Sequence, residues 1–292
     1  MNTDFNEKTG KDEEHFSLKR IIVRFFGFVL SLSMMISCSS AGHIFASGDL
    51  AAIGEKSYVK ISEAIAAAGE NDTVKLLPRA DGSPIYGCYT VSGKKNITID
   101  LNEATIEYKG TNNYLLKIEN SSVTIKNGTL NLQNAGSAVA VSGNSNVIFE
   151  NVTIKTSGRG VFVQSAGDTY IKVNSDTVIA SEKPSFYLGS EDAAENITLD
   201  IFGKINSEKA SAIYNISKGK VKINLHGGSE IKAADVGIYN KESGFSLEMY
   251  GGLISGGTGI HSIGGKLTIR GGHISATGSK GEAPNTGCAV SS

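Results

Sequence analysis

The sequence predicts an all-β fold, a right-handed parallel β-helix of about eight turns of about 24 residues each, with an N-terminal capping helix. Short stretches of alternating apolar and polar residues recur at intervals of 22 to 26 residues. This period-two alternation indicates strands with one buried face. The chain also contains 35 Gly but only 4 Pro, and it has no Gly-X-Y period, which favours many tight corners.

Each repeat contains three short strands, and their apolar residues recur at matching places. The first strands begin at Ile97, Val123, Val147, Ile171, Ile197, Val221, Phe245 and Leu267. The second strands are anchored by Ile106, Leu130, Ile154, Ile179, Ile205, Ile231, Ile254 and Ile274. The third strands are anchored by Leu116, Val139, Val161, Phe186, Ile213, Ile238, Ile260 and Ala289. Such strands cannot bury their apolar faces alone, so we expect the turns to stack into three parallel sheets around one core.

The corner between the first and second strands has its own residue pattern. Asn127, Asn151 and Asn174 occupy it in the earlier turns, and Gly-Gly pairs such as Gly251-Gly252 occupy it in the later ones. Asn and Gly are the residues that best tolerate a left-handed backbone, so one corner geometry would explain both sets. Stacked Asn amides can also hydrogen-bond from turn to turn.

Residues 1–46 resemble an export signal with a polar N-terminal extension. A short apolar run, Phe25 to Ile36, follows a basic pair and is too short to span a bilayer. Cleavage after Ala41 or Ala46 is one outcome, acylation of Cys38 within a lipobox-like sequence is a second, and an uncleaved anchor is a third. We therefore expect an exported protein, extracellular or on the cell surface, that contacts a membrane only through its signal or a lipid anchor.

Charge and cysteine content exclude several classes of partner. The formal net charge is −1, which argues against nucleic acid. Cys88 and Cys288 lie near opposite ends of the predicted stack, too far apart for a disulfide. His226, His261 and His273 fall in different columns of the repeat, so we expect no metal site, and no cofactor is indicated.

The N-terminal segments resemble a known superfamily. Tyr58–Gly69, Asp72–Leu77 and Gly93–Asn102 are similar to the first part of pectin-lyase-like β-helix proteins, above all those of Firmicutes surface proteins. The resemblance implies a cap over residues 47–95, made of a strand, a helix and a strand, before the β-helix of residues 96–292. Ser62 is suited to cap that helix, with Ile61, Ile65 and Ala68 on its buried face. The resemblance also implies a polysaccharide lyase or glycoside hydrolase as an alternative function.

The sequence indicates no catalytic residues. The expected outward column of the first sheet is Asp100, Lys126, Glu150, Asn174, Asp200, Asn224, Glu248 and Arg270. Neighbours in this column never carry like charges, which is typical of a solvated ladder that stabilises a sheet. We therefore interpret these acids as structural rather than as a hydrolytic pair.

The third strand supplies the candidate binding site. The residues between its inward positions must point outward, and we expect the column to be flanked by Ala140 and Val290. Its ring-bearing members are Phe162, Tyr187, Tyr214, Tyr239 and His261. Rings about 4.8 Å apart would form a strip on which sugars could stack, although such a ladder can also simply stabilise the sheet.

The function expected from these observations is adhesion or glycan binding without catalysis. The expected partner is a polysaccharide or a host or bacterial surface glycan. Because the sequence stops within a third strand, end-to-end self-association is a further expectation. A structural stalk, or a fragment of a longer surface protein, is the remaining alternative.

Overall fold

The computed structural model describes residues 48–164, 167–190, 196–278 and 288–291. The predicted signal and its candidate acylation site, Cys38, lie outside these ranges. Within the described ranges, no helix has the length and apolar character needed to cross a bilayer.

The predicted fold class is confirmed, since the described residues form a parallel β-solenoid of about eight turns with one short helix. The N-terminal part begins with an antiparallel hairpin and the helix, which precede the first turn. Its elements are β1 (Ala51–Ile53), β2 (Lys56–Tyr58), α1 (Ile61–Ala67), β3 (Thr73–Leu76), β4 (Ile85–Tyr86) and β5 (Tyr89–Ser92). The last three already pair in parallel with the next turn, so regular stacking begins at β3.

First and second strands alternate along two sides of the solenoid. The first strands are β6 (Ile97–Asp100), β13 (Asp168–Val173), β16 (Asn196–Ile201), β19 (Val221–Leu225), β22 (Phe245–Met249) and β25 (Lys266–Ile269). The second strands are β7 (Thr105–Tyr108), β14 (Val178–Ser181), β17 (Lys204–Ser207), β20 (Glu230–Ala233), β23 (Leu253–Gly256) and β26 (His273–Ala276). In two turns the first and second strands are continuous through the corner, as β9 (Ser122–Leu132) and β11 (Ser145–Thr156).

The third strands form a separate parallel sheet, which carries the candidate site. After β5 it contains β8 (Tyr114–Glu119), β10 (Ser137–Ser142), β12 (Arg159–Val163), β15 (Phe186–Leu188), β18 (Ile213–Asn215), β21 (Val236–Asn240), β24 (Thr258–Ser262) and β27 (Val290–Ser291). The predicted anchors of this sheet are in register from Leu116 to Ile260. The final anchor was wrong, because Val290 rather than Ala289 pairs with Ile260.

Stacked aliphatic side chains fill the interior. The predicted second-strand anchors from Ile106 to Ile274 align turn by turn, and all of them except Ile274 are buried. Ile223 is fully buried and lies in register between Leu199 and Leu247. One continuous core therefore runs along the solenoid.

The predicted corner geometry is confirmed at most positions. Asn127 and Asn151 have φ angles of 57° and 54°. Gly252, at the same corner in a later turn, has a φ of 87°. The Asn151 amide donates to Asn127 Oδ1 at 3.2 Å, so the amides do bond from turn to turn. Asn174 is the exception, since its φ is not positive.

The helix begins differently from the prediction. Lys60, not Ser62, is the N-cap residue of α1, and it makes no side-chain capping bond. Its ammonium instead contacts Glu63 at 3.0 Å, on the exposed side. The helix is held by its apolar face, because Ile61 and Ile65 are buried as expected.

Candidate functional site

The third sheet positions the five predicted ring-bearing residues in one outward column. The side chains that alternate with them point into the core and are fully buried. Strand pairing places successive members directly opposite one another, and we call this column the strip: Phe162, Tyr187, Tyr214, Tyr239 and His261. All five side chains are half-buried, so their outer edges remain in contact with solvent.

The rings of the strip are stacked on one another. The centroids of Tyr214 and Tyr239 are 5.0 Å apart and their planes differ by 5°. The pair Tyr239 and His261 is similar, at 5.1 Å and 16°, as is the pair Tyr187 and Tyr214, at 5.3 Å and 29°. Phe162 instead meets Tyr187 edge-on, at 78°.

This stacking determines what the strip presents to a ligand. Parallel rings with centroids 5.0 Å apart are too close to lie side by side in one plane, so they overlap as offset stacks. Much of each ring face is therefore covered by its neighbour, and ring edges and polar tips face outward. The phenol hydroxyls of Tyr214 and Tyr239 hydrogen-bond to no residue in the described part of the chain. The strip thus offers phenol hydroxyls on adjacent turns, more than the ring faces on which sugars were expected to stack.

Cations lie over the first three rings of the strip. The Arg159 guanidinium lies 4.5 Å from the ring centroid of Tyr187 and 5.2 Å from that of Phe162. The Lys241 ammonium lies 5.9 Å from the ring centroid of Tyr214. These cation–π contacts cover ring surface that a sugar would otherwise occupy.

One flank of the strip was predicted correctly and the other was not. Ala140 pairs with Phe162, as expected. At the opposite end Ser291, not Val290, pairs with His261, because β27 is shifted by one residue from the predicted alignment. Ser291 Oγ lies 2.8 Å from His261 Nδ1, so a hydroxyl extends the polar row.

Buried amides hold the strands beneath the strip. Asn215 and Asn240 are fully buried, and the Asn215 amide donates to Asn240 Oδ1 at 2.7 Å. The Asn240 amide donates in turn to Ser262 Oγ at 2.9 Å and to the Gly264 carbonyl at 3.0 Å. These bonds fix the relative positions of three successive turns, and with them the spacing of the rings above.

A depression opens beside the strip, on the side of the corner that precedes the third strand. It has a volume of about 250 Å³. Its described lining consists of Pro184, Tyr187, Ala210, Ser211, Tyr214 and Asp235. Of these six residues Asp235 alone is charged, and its Oδ2 accepts a hydrogen bond from the buried Ser211 hydroxyl at 3.1 Å.

The outward column predicted for the first sheet is in register from Asp100 to Asn174, and the prediction was wrong after Asn174. Asp200 pairs with Lys172 rather than with Asn174, and Glu248 pairs with Thr268 rather than with Arg270. Asn174 and Arg270 stay in line with Glu150, in the column next to the corner, whereas Asp200, Asn224 and Glu248 lie two residues nearer the start of their strands. Of the first-sheet acids, Asp200 is engaged by its neighbours, since it accepts bonds from Tyr170 Oη and from Asn224 Nδ2, both at 2.6 Å.

This corner column contains a ring stack that the sequence analysis missed. We call Phe202, His226 and Tyr250 the corner stack. The centroids of Phe202 and His226 are 3.9 Å apart with planes 6° apart, and Tyr250 follows at 5.6 Å. Tyr250 Oη donates to Glu248 Oε2, which lowers the pKa of the Glu248 carboxyl and raises that of the phenol. Correct alignment of the repeats would have revealed these rings.

A second, larger groove of about 560 Å³ runs along the start of the first sheet. Lysines line both of its ends and amides and hydroxyls line its middle, where Tyr170 projects. Burial, together with the hydrogen bond to Asp200, raises the pKa of Tyr170 to about 12. Lys94 is not available to a ligand, because its ammonium donates to the Ala66 and Ala68 carbonyls, each at 2.8 Å.

The described residues provide neither a metal-binding cluster nor a disulfide. They contain no group of three or more His, Cys, Asp or Glu side chains able to hold a metal ion. Cys88 and Cys288 are both free thiols. Comparisons with protein-family models, with curated proteins and with solved structures find no match.

Proposed function

We propose that this chain is an exported, non-catalytic β-helix protein that binds a polysaccharide or a surface glycan through the strip. The observation that carries the proposal is the row of polar ring edges on successive turns. Tyr214 and Tyr239 stack 5.0 Å apart, and neither hydroxyl is used by a described residue. A repeating polymer of hydroxyl-bearing units is a ligand that can contact such a repeating row.

The mode of contact follows from the stacking. Phenol hydroxyls both donate and accept hydrogen bonds, as sugar hydroxyls do. The ring edges supply apolar contact between these polar tips. We therefore propose that a glycan chain lies along the solenoid axis and contacts ring edges and hydroxyls. The internal amides of Asn215 and Asn240 keep this row rigid, so little ordering is needed on binding.

Export and superfamily membership are part of the same proposal. The apolar N-terminal run supports export, and the capped parallel β-helix supports kinship with pectin-lyase-like proteins. The short helix α1 precedes the first stacked turn, as in the segment on which the resemblance was based.

An enzyme that cleaves polysaccharides is the main alternative, and the Asp200 and Glu248 carboxylates of the first sheet argue against it. Asp200 is bonded to Tyr170 and Asn224, and Glu248 is bonded to Tyr250. Acids held by neighbours in this way are poorly placed to attack or protonate a substrate. Release of products from acidic or neutral polysaccharides would favour the enzyme, and absence of any glycan binding would favour a stalk.

The test replaces the centre of the strip. Tyr214→Ala combined with Tyr239→Ala should abolish binding on a glycan array while most of the fold remains, because both side chains point outward. Tyr86→Ala is the control, since Tyr86 is an exposed aromatic residue on another sheet. The double Phe variant keeps the stack and removes the hydroxyls, and it should weaken binding nearly as much as the Ala pair. Unchanged binding by the Ala pair would refute the proposed site.

A further inference from the structure

The depression beside the strip has the features of a subsite for a single sugar unit. It lies between Tyr187 and Tyr214, two consecutive members of the strip, and Pro184 and Ala210 add apolar surface. A sugar ring that entered it would place its C–H groups against these apolar side chains. The charged member of the lining, Asp235, would then face the hydroxyl groups of the sugar.

The carboxylate of Asp235 is held in a fixed orientation. The Ser211 side chain is only 4% exposed and its hydroxyl donates to Asp235 Oδ2 at 3.1 Å. Asp235 Oδ1 accepts no hydrogen bond from the described residues, and the side chain itself is exposed. An ionised carboxylate accepts hydrogen bonds and donates none, so its partners must be donors. Two adjacent sugar hydroxyls fit this requirement.

Among the described residues no cation forms an ion pair with Asp235, although the Arg159 guanidinium and the Lys241 ammonium lie over the rings of Tyr187 and Tyr214. The Lys209 ammonium pairs with Glu182 at 2.8 Å, and the Lys183 ammonium donates to the Ala135 carbonyl at 3.4 Å. A sugar carboxylate or sulfate in the depression would therefore be repelled by Asp235.

We infer that the depression is the main sugar subsite of the strip, and that it takes an uncharged sugar with two adjacent hydroxyls while excluding acidic sugars. The inference rests on the proposed function and deepens it by naming the class of sugar. Asp235 selects the ligand in two ways, since it accepts hydrogen bonds from hydroxyls and repels anions. Charged hydrogen bonds are stronger than neutral ones, so both effects depend on ionisation of the carboxyl group.

The experiment measures binding of cellohexaose, mannohexaose and hexagalacturonate by calorimetry at physiological salt. The wild-type protein should prefer a neutral hexasaccharide to the acidic one. Asp235→Asn keeps the size of the side chain and the bond from Ser211 but removes the charge. It should weaken neutral binding about tenfold, the value of one charged hydrogen bond, and should reduce the discrimination against hexagalacturonate. Asp176→Asn is the matched control, because it makes the same charge change at an exposed turn.

A second variant tests whether binding depends on the open volume of the depression. Ala210→Leu fills the depression and should reduce binding of every hexasaccharide, whereas Ala180→Leu, at an outward position of the second sheet, should not. Equal or tighter wild-type binding of hexagalacturonate, or an unchanged preference in Asp235→Asn, would overturn the inference. If the Tyr214 and Tyr239 pair remains essential while the Asp235 and Ala210 variants bind normally, the subsite is wrong and the strip stands. If none of these variants alters binding, the proposed function fails as well.

Discussion

Ile223→Asp is the most direct test of which side chains face the core. Ile223 is 0% exposed and lies in register with Leu199 on one side and Leu247 on the other. Its neighbour in sequence, Lys222, points outward, where its ammonium lies 3.8 Å from Glu248 Oε2. Adjacent residues of one strand therefore provide a buried test position and an exposed control.

The expected loss of stability has two parts. Removing a buried Ile side chain costs about 3 kcal/mol, within the usual range for truncation to Ala. Keeping the new carboxyl neutral inside the core at pH 7 requires its pKa to rise by about 3 units, which costs about 4 kcal/mol. Together these effects give about 7 kcal/mol, comparable with the whole stability of a typical domain. By contrast, Lys222→Asp loses an exposed ion pair and should cost no more than about 1 kcal/mol.

Thermal unfolding followed by circular dichroism measures the difference. A change of 1 kcal/mol shifts the melting temperature of a domain of this size by about 2 to 4 °C. We expect Ile223→Asp to melt at least about 10 °C below the wild type or to fail to fold, and Lys222→Asp to melt within about 4 °C of it. Equal melting temperatures for the two variants would show that the assignment of inward and outward faces is wrong.

Two further predictions concern hydrogen bonds. The pKa of Tyr170 is raised to about 12 in the folded chain, above its ordinary value near 10. The stability associated with its protonated form is therefore present below pH ~10 and is lost as the pH rises towards about 12. Tyr170→Phe should therefore lose less stability than the wild type over that interval in alkaline denaturation curves, and identical curves would argue against the bond to Asp200. Asn240→Ala should destabilise the solenoid by about 2 to 4 kcal/mol in urea unfolding, because it leaves the buried Asn215 amide and the buried Ser262 hydroxyl without this partner. Asn146→Ala, at an exposed position, should be neutral, and similar losses for both variants would contradict an internal amide ladder.

The alternation of apolar and polar residues predicted whether a side chain points inward or outward better than it predicted which residues of neighbouring turns are aligned. A strand pattern with a period of two is unchanged by a shift of two residues. Ile171 was aligned with Ile197, but it pairs with Leu199, and both partners point inward. The same ambiguity hid the shift of two residues that separates Asp200 and Glu248 from the column of Asn174 and Arg270. As a result the core of the first sheet was predicted well, whereas the corner stack was not.

The alignment of the rings in the strip was predicted correctly because its turns offered no such ambiguity. Each third strand is short and carries its ring immediately after a buried anchor, as in Ile213-Tyr214 and Ile238-Tyr239. The orientation of the rings could not be predicted, since it depends on contacts between neighbouring side chains. The last third strand was misaligned for a different reason. The alignment relied on buried apolar anchors, but Val290, which pairs with Ile260, is 46% exposed, so the apolar pattern could not distinguish it from Ala289.

The two ring stacks of this solenoid differ in the hydrogen bonding of their tyrosine hydroxyls. In the corner stack, Tyr250 is bonded to Glu248, and the Lys172 ammonium lies 5.3 Å from the ring centroid of Phe202. In the strip, the hydroxyls of Tyr214 and Tyr239 have no partner within the described residues. Stacking alone stabilises a parallel sheet in both places, so it cannot distinguish a ligand site from a structural ladder. Unused hydrogen-bonding groups in an ordered row make that distinction, because their bonds with water can be exchanged for bonds with a ligand.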